Sequence, residues 1–275
     1  MIGRKKTNWV ITFLIGAGSL FILFPLYVLI TTALKTPLEL AESRLAFPVG
    51  LHFENFITAI KMTNFFNALK NSLIISVSAV SITILTNSMV AYAIARNIHR
   101  KFFKGLYFYF VSAMFIPFPI IMLPIVKQTH AMGMDNPAGI IFIYIVYGLA
   151  FNIFVYVGYI KSIPRDMEEA AIMDGASIWV LFWKVIFPLL APMNATLVIL
   201  SSLWIWNDFM LPLILLTKRT MLTLPLVQFV FRSQFTTEYN LAFASYLMAL
   251  APMIIVFIIA QRWVISGVMR GGIKQ

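Results

Sequence analysis

Long apolar runs separated by short polar connections dominate the chain. Crossing the hydrocarbon of a bilayer takes about 20 mostly apolar residues, and six stretches are long enough: 9–34, 73–95, 106–126, 139–160, 189–216 and 241–264. The pattern predicts six transmembrane helices in an all-α membrane protein. Arg4, Lys5 and Lys6 before the first run resemble the start of a signal peptide, but the run is too long and lacks a small-residue cleavage site. It is expected to persist as the first helix. Pro117, Pro119 and Pro124 interrupt the third run. Spanning helices tolerate such breaks where neighbours or water satisfy the freed carbonyls, a condition met by helices packed around a pathway and by ordinary bundle kinks alike.

Composition agrees with the pattern. Of 275 residues, 61% are hydrophobic and 11% charged, with a mean hydropathy of +0.89, where a soluble domain carries about a quarter charged residues. There is no cysteine, which excludes disulfides, thiol catalysis and thiolate metal sites. The net charge of +11 comes from basic residues scattered between apolar runs rather than gathered on one soluble face, so membrane topology explains it better than nucleic acid does. Of the 21 Lys and Arg residues, 13 fall on the side of the N-terminus, among them Arg96, Arg100, Lys101 and Lys104. Basic loops stay cytoplasmic, which places both termini in the cytoplasm. The outer loops, 35–72, 127–138 and 217–240, are too short for a separate domain.

One short segment concentrates acids: Asp166, Glu168, Glu169 and Asp174, on the cytoplasmic side between the fourth and fifth runs. Ser162 can cap a helix of about 10 residues, Pro164 suits its first turn, and the acids lie where the helix dipole favours negative charge. Gly175 can end this helix in a left-handed conformation, and Ser177 can cap a second running to Phe187 before Pro188 breaks the direction. Ala170 and Ala171 offer a surface almost without side chains, flanked by the apolar Ile172 and Met173 and the charged Glu168 and Glu169. Close docking of another protein and simple stabilisation of the helix start both fit these residues.

The spacing carries a resemblance. Glu169-Ala170-Ala171, three residues, Gly175, nine residues, then Val185-Ile186-Phe187-Pro188 resembles the EAA loop of permease subunits of binding-protein-dependent ABC importers, whose pattern ends in Ile-x-Leu-Pro; Val185 and Phe187 depart from it conservatively. Further matches to the maltose-type carbohydrate branch are Asn71-Ser72, Ala91-Tyr92-Ala93-Ile94-Ala95-Arg96, Ile116-Pro117, Trp206-Asn207-Asp208-Phe209, Thr223-Leu224-Pro225, and the tail from Gln261 through Lys274. They cover about residues 50–275.

The resemblance implies a type I ABC importer permease fold with a cytoplasmic coupling helix, in a multi-pass subunit of the bacterial inner membrane that imports a carbohydrate, most simply an oligosaccharide. Its ATPase-coupling residues would be Glu168, Glu169, Ala170, Ala171, Met173, Asp174, Gly175 and Pro188. The implied partners are a second related permease, two ATP-binding cassette subunits and an extracytoplasmic sugar-binding protein. No cofactor would be bound by this chain, and ATP and Mg would sit on the ATPases. The expected divisions are 1–70, an N-terminal helix with the first outer loop; 71–262, the permease domain; and 263–275, a cytoplasmic tail.

Other residues invite chemistry. Asp208 is the one acid inside an expected span, about 13 Å deep at 1.5 Å per residue, and intramembrane carboxylates are costly. With Trp206 and Asn207 it could face a translocation pathway, or it could lock the fifth helix to a neighbour. Asn87 and Asn152 are open to the same two readings, pathway or interhelical bond. Gln228, Phe231, Gln234 and Tyr239 in the last outer loop are candidates for contact with the binding protein, or for an interfacial aromatic belt. The chain contains no glycine-rich phosphate loop ending in Gly-Lys-Ser or Gly-Lys-Thr, so it is not expected to be the ATPase. His52, His99 and His130 match no metal spacing. A stand-alone ion-coupled carrier would show internal repeats and several buried ionisable groups, which this sequence does not. An ABC permease for another solute, such as a sugar phosphate, a peptide or phosphate, would share the coupling loop.

Overall fold

A computed structural model of the chain describes residues 9–232 and 238–272; Arg4, Lys5, Lys6, Gln234, Ile273 and Lys274 lie outside them. The described residues form helices joined by turns and contain no strand. In chain order these are α1 Trp9–Ala33, α2 Pro37–Glu42, α3 Glu54–Thr63, α4 Phe65–Arg96, α5 Lys101–Ala113, α6 Phe118–Ala131, α7 Pro137–Ile160, α8 Asp166–Met173 and α9 Ile178–Leu181. After a π-turn at Phe182–Ile186 come α10 Phe187–Leu189, α11 Ala191–Asn207, α12 Met210–Leu215, α13 Leu224–Gln228 and α14 Tyr239–Gly272.

Six continuous spans do not form. Four helices are long and apolar enough to cross a bilayer alone: α1, α4, α7 and the Tyr239–Ile258 part of α14. Two bent pairs complete six if each is taken as one broken span. Lys101–Ala113 and Phe118–Ala131 meet at 104°, and Ile178–Leu189 and Ala191–Asn207 at 73°. The expected third span at 106–126 is thus corrected to two helices. Proline has no N–H to donate and pushes the preceding residue out of the helical region, and Pro117 sits extended at the break (φ −63°, ψ 134°) as the cap of α6. The fifth run, 189–216, is likewise divided, because Asp208 turns extended (φ −68°, ψ 126°) between α11 and α12.

The chain divides into two compact units. One comprises residues up to Phe66 together with Val227–Pro252. Its core joins Ala33, Ala59, Phe231, Leu241, Ala242 and Ala244. Asn55 ties it together: its Nδ2 donates to the carbonyls of Ala33 (3.0 Å) and Lys35 (2.9 Å), and its Oδ1 accepts from Asn240 Nδ2 (2.9 Å). The side chain of Thr36 caps α2 in a reciprocal box with Glu39, which also accepts from the Val49 N–H at 2.8 Å. Along α1, Trp9 through Pro25 are exposed, as an apolar helix facing lipid would be.

The other unit comprises Asn67–Leu226 and the chain from Met253. Within this unit the buried positions of α4, 68, 72, 75, 76, 79, 80, 83, 84, 87, 88, 91, 94 and 95, recur every three or four residues, one helical face. Most are Ser, Ala, Thr or Asn, the small residues that let membrane helices approach closely. The apolar members of this face from Ile75 onward share one core with Ile140, Ile153, Tyr156 and Ile160 of α7 and with Leu181, Ile186 and Leu197 from the segments that follow. At the start of α7, Asn136 caps by accepting from the Gly139 N–H at 3.1 Å. A Cβ at 139 would lie 1.9 Å from the Met134 carbonyl oxygen, so only glycine allows that turn to close.

Candidate functional site

The acidic segment folds as a helix, a tight reversal and a second helix. Its first helix is shorter than expected: Ser162 does not cap it but donates its hydroxyl to the Tyr159 carbonyl at the end of α7 (2.7 Å), and α8 begins at Asp166. The helix ends as its composition requires. Gly175 is left-handed (φ 81°), its N–H bonds the Ile172 carbonyl (2.9 Å) and the Ala176 N–H bonds that of Ala171 (3.0 Å), the paired closure of a Schellman motif. Ser177 then caps α9 by accepting from the Val180 N–H. The ring of Pro188 clashes with the carbonyl four residues earlier and offers it no N–H, and the turn just before it is widened into the π-turn at Phe182–Ile186. The direction changes after Leu189, slightly later than Pro188 itself.

This segment has two faces. Glu168 points inward, 7% exposed. Its carboxylate pairs with the Arg96 guanidinium and accepts from Arg96 Nε (2.6 Å) and Tyr92 Oη (2.8 Å), while Arg96 Nη2 also donates to the Ile163 carbonyl (3.2 Å). The expectation that Glu168 offers charge to a partner is corrected accordingly. Its carboxylate anchors the loop to the end of α4, because a charge so far removed from water must be paired. Ala171 also packs inward, beside the core. Outward lie Glu169, Ala170, Asp174, Gly175 and Pro188, with Ile172, Met173, Ile178 and Trp179 as exposed apolar side chains; Met173 is 87% exposed. Sequence reasoning missed Arg96, Ile178 and Trp179. The pair Ile178-Trp179 straight after a Ser cap was the available signal.

The candidates near α11 separate. Trp206 is buried, and Asn207 donates its amide to the Leu203 carbonyl of its own helix (2.7 Å). Asp208 Oδ2 accepts from Tyr144 Oη of α7 (2.8 Å), and Oδ1 accepts from the Met210 N–H at the start of α12 (3.0 Å). Of the two readings of Asp208, this geometry is the interhelical tie. Asn87 and Asn152 are fully buried, and the Nδ2 of each has no hydrogen-bond partner among the described residues, nor does Thr83 Oγ1. In the segment leading into α14, Phe231 is in the core of its unit and is not exposed, Tyr239 is exposed beside Arg44, and Gln228 is half-buried.

Comparison with known proteins agrees with this architecture. Residues 87–270 match the family described as the binding-protein-dependent transport system inner membrane component. The probable starch degradation products transport system permease protein AmyC of Thermoanaerobacterium thermosulfurigenes is 37% identical over 268 residues, 98% of this chain and 97% of that protein. The multiple sugar-binding transport system permease protein MsmG of Streptococcus mutans is 38% identical over 266 residues, 95% of each. A solved bacterial ABC transporter involved in importing the acidic polysaccharide alginate shares the fold at a TM-score of 0.81 and 22% identity, covering 95% of this chain and 99% of that one. The chain belongs to the family of binding-protein-dependent transport system inner membrane components.

Proposed function

We propose that this chain is a permease subunit of an ATP-driven importer for a carbohydrate, most simply an oligosaccharide, in the cytoplasmic membrane of a bacterium. The sugar assignment is supported by the relatives named for starch degradation products and for multiple sugars. Coupling rests on one observation: the two-faced segment α8–α10. Its back is tied to α4 through Glu168 and Arg96, and its front exposes Glu169, Ala170, Met173, Asp174 and Gly175 with Ile178 and Trp179. An apolar, small-residue surface on a loop anchored to a spanning helix suits a lever better than a solvated turn.

In this reading two ATPase subunits, carrying the ATP and Mg, each receive one such loop, one from this chain and one from a second related permease. An extracytoplasmic binding protein delivers the sugar, with Gln228 and Tyr239 near its contact. ATP and loaded binding protein must favour the same state for the cycle to be coupled. Both termini and the α8–α10 loop face the cytoplasm. The chain divides functionally into an entry helix with its loop (1–70), the permease body (71–262) and a cytoplasmic tail (263–275). The body supplies the pathway, with Asn87 and Asn152 as its buried amides.

The test is the assembled complex in proteoliposomes. Glu169→Lys and Gly175→Pro should each cut the stimulation of ATP hydrolysis by loaded binding protein about 5-fold or more, the usual range of a lost coupling energy, while the subunit stays in the membrane. Normal stimulation in both variants would sink the coupling assignment. Uptake by this chain alone in ATP-free vesicles under an ion gradient would refute the multi-subunit reading.

A further inference from the structure

The connection between α2 and α3 carries an exposed apolar side chain at every second residue: Leu45, Phe47, Val49, Leu51 and Phe53, with Val49 94% exposed. Apolar side chains exposed in such a run mark contact with something other than water. The segment is nevertheless pinned along its length. Lys35, fully buried, donates its Nζ to the carbonyls of Ser43 (2.9 Å) and Arg44 (3.4 Å). Ser43 Oγ accepts from the Ala46 N–H (3.1 Å), and Glu39 Oε1 from the Val49 N–H (2.8 Å). Tyr27 Oη donates to the Leu45 carbonyl (2.6 Å), and the Tyr27 ring meets that of Phe47 edge-on at 5.4 Å. Main-chain groups paired in this way can leave water without the cost of an unsatisfied polar atom.

Tyr27 sets the depth of the loop. On α1 it lies 18 residues after Trp9, about 27 Å at 1.5 Å per residue, close to the ~30 Å hydrocarbon thickness of a bilayer. Aromatic residues gather at the two membrane–water interfaces, and these two rings bracket an exposed apolar stretch of that length. Helical side chains lean toward the N-terminus of their helix, and the Tyr27 ring does so, stacking on Phe24 at 6.3 Å and 26°. The Leu45 carbonyl that it holds is therefore at the level of Tyr27, about 9 Å inside the end of α1. The chain leaves α1, turns through α2 and returns down the side of α1 to the interface. It is back at the end of α1 by His52, whose N–H bonds the Leu34 carbonyl at 3.2 Å. Through Phe24, Tyr27 and Phe47 the stripe is continuous with the exposed apolar side of α1. Just before it, the Arg44 guanidinium lies 5.8 Å from the centre of the Tyr239 ring and forms no ion pair among the described residues.

We propose that residues 44–51 form a foot on the lipid surface: the side chains of Leu45, Phe47 and Val49 sit among the upper acyl chains of the leaflet opposite the N-terminus, and Arg44 meets the phospholipid phosphates. In the orientation given above this is the outer leaflet. The foot fixes the depth and tilt of α1, which interfacial anchors set for any spanning helix. It requires α1 to cross the bilayer and is independent of the solute carried.

The experiment uses the complete complex in nanodiscs of phosphatidylethanolamine and phosphatidylglycerol, where both faces meet the solvent. The chain has no cysteine, so Phe47→Cys, Val49→Cys and, as the reference, His130→Cys at an exposed position each place one thiol in it. The parent complex, treated alike, gives the background of the other subunits. Val49→Cys removes a side chain that is almost wholly exposed, so assembly should match the parent even if the loss of the Tyr27 ring contact weakens Phe47→Cys. A charged, membrane-impermeant maleimide should modify residue 49 about 10-fold more slowly than residue 130, the ratio that corresponds to burying a side chain of valine size. Nitroxide labels at 47 and 49 should collide mainly with dissolved oxygen, which concentrates in lipid, and the label at 130 mainly with a water-soluble nickel chelate. Modification of residue 49 as fast as residue 130 would put the loop in water and overturn the foot. Slow modification with few collisions of either kind would put it against another protein and overturn the foot equally.

Discussion

Glu168 and Asp208 are both carboxylates that the sequence marks for function, and each accepts a 2.8 Å hydrogen bond from a tyrosine on another helix. The rest of their settings differ. Glu168 is 7% exposed and shares its charge with Arg96 at the end of α4. Asp208 is half-buried, and its second oxygen caps the short α12 through the Met210 N–H. The first is a charge pair that fixes a loop to a spanning helix. The second is a neutral-donor tie that lets a helix break and restart. In both places the acid holds geometry, and the groups left exposed are its neighbours: Glu169, Met173 and Asp174 beside Glu168, and the Trp204 ring one turn from Asp208.

The largest effect should follow from breaking the charge pair. Glu168→Ala strands the Arg96 guanidinium, whose side chain is 13% exposed, and losing one partner of a buried pair costs about 3–5 kcal/mol. Replacing both, as Arg96→Met with Glu168→Leu, should recover most of that, because neither charge is then left alone. Thermal unfolding of the purified protein, analysed as a double-mutant cycle, measures both. If Glu168→Ala costs no more than Asp208→Ala, the distinction between pair and cap is lost.

A smaller effect is expected at the other acid. Tyr144→Phe and Asp208→Asn should each destabilise by about 1.5–3 kcal/mol, the range for a hydrogen bond to a charged group. Uptake, normalised to assembled complex, should stay near that of the parent. A variant that assembles normally but fails to transport would return Asp208 to the pathway.

How much of this was readable in the chain depended on how local the cause was. Four of the six apolar runs, the left-handed Gly175 and the Ser177 cap are set by residues within a turn of one another, and the structure has them where the sequence puts them. The Ser162 cap failed because both the hydroxyl and the backbone N–H of Ser162 turn back to the Tyr159 carbonyl at the end of α7 (2.7 and 2.9 Å). Glu168 was misjudged because its partner Arg96 lies far back in sequence at the end of α4, and nothing in the spacing of the loop reveals it. Trp204 was overlooked for a different reason. A helix apolar on all sides has no polar face to mark which tryptophan is buried, and the structure buries Trp206 while leaving Trp204 46% exposed. The third run's break was legible as three prolines, but its 104° angle comes from how the two halves pack.

A third carboxylate extends the comparison to an acid held without a buried cation or a tyrosine. Glu39 accepts from the Thr36 and Val49 N–H groups and from the Thr36 hydroxyl, with His52 Nε2 3.7 Å away. The Thr36 backbone bond and then the Val49 bond are the main causes that lower its pKa from 4.5 to about 2. Because the folded value lies below the unfolded one, the ionised form contributes stability fully above pH 4.5, and that contribution fades as the pH falls toward 2. Glu39→Gln should therefore destabilise the loop at neutral pH and lose its disadvantage in acid. The check is protease sensitivity of residues 36–49, compared between parent and variant at about pH 6 and about pH 3, with an acid-active protease calibrated at both. The gap should narrow on acidification. A gap that widens would mean that the carboxylate is held by burial rather than by backbone donors, and Glu39 would then belong with Glu168.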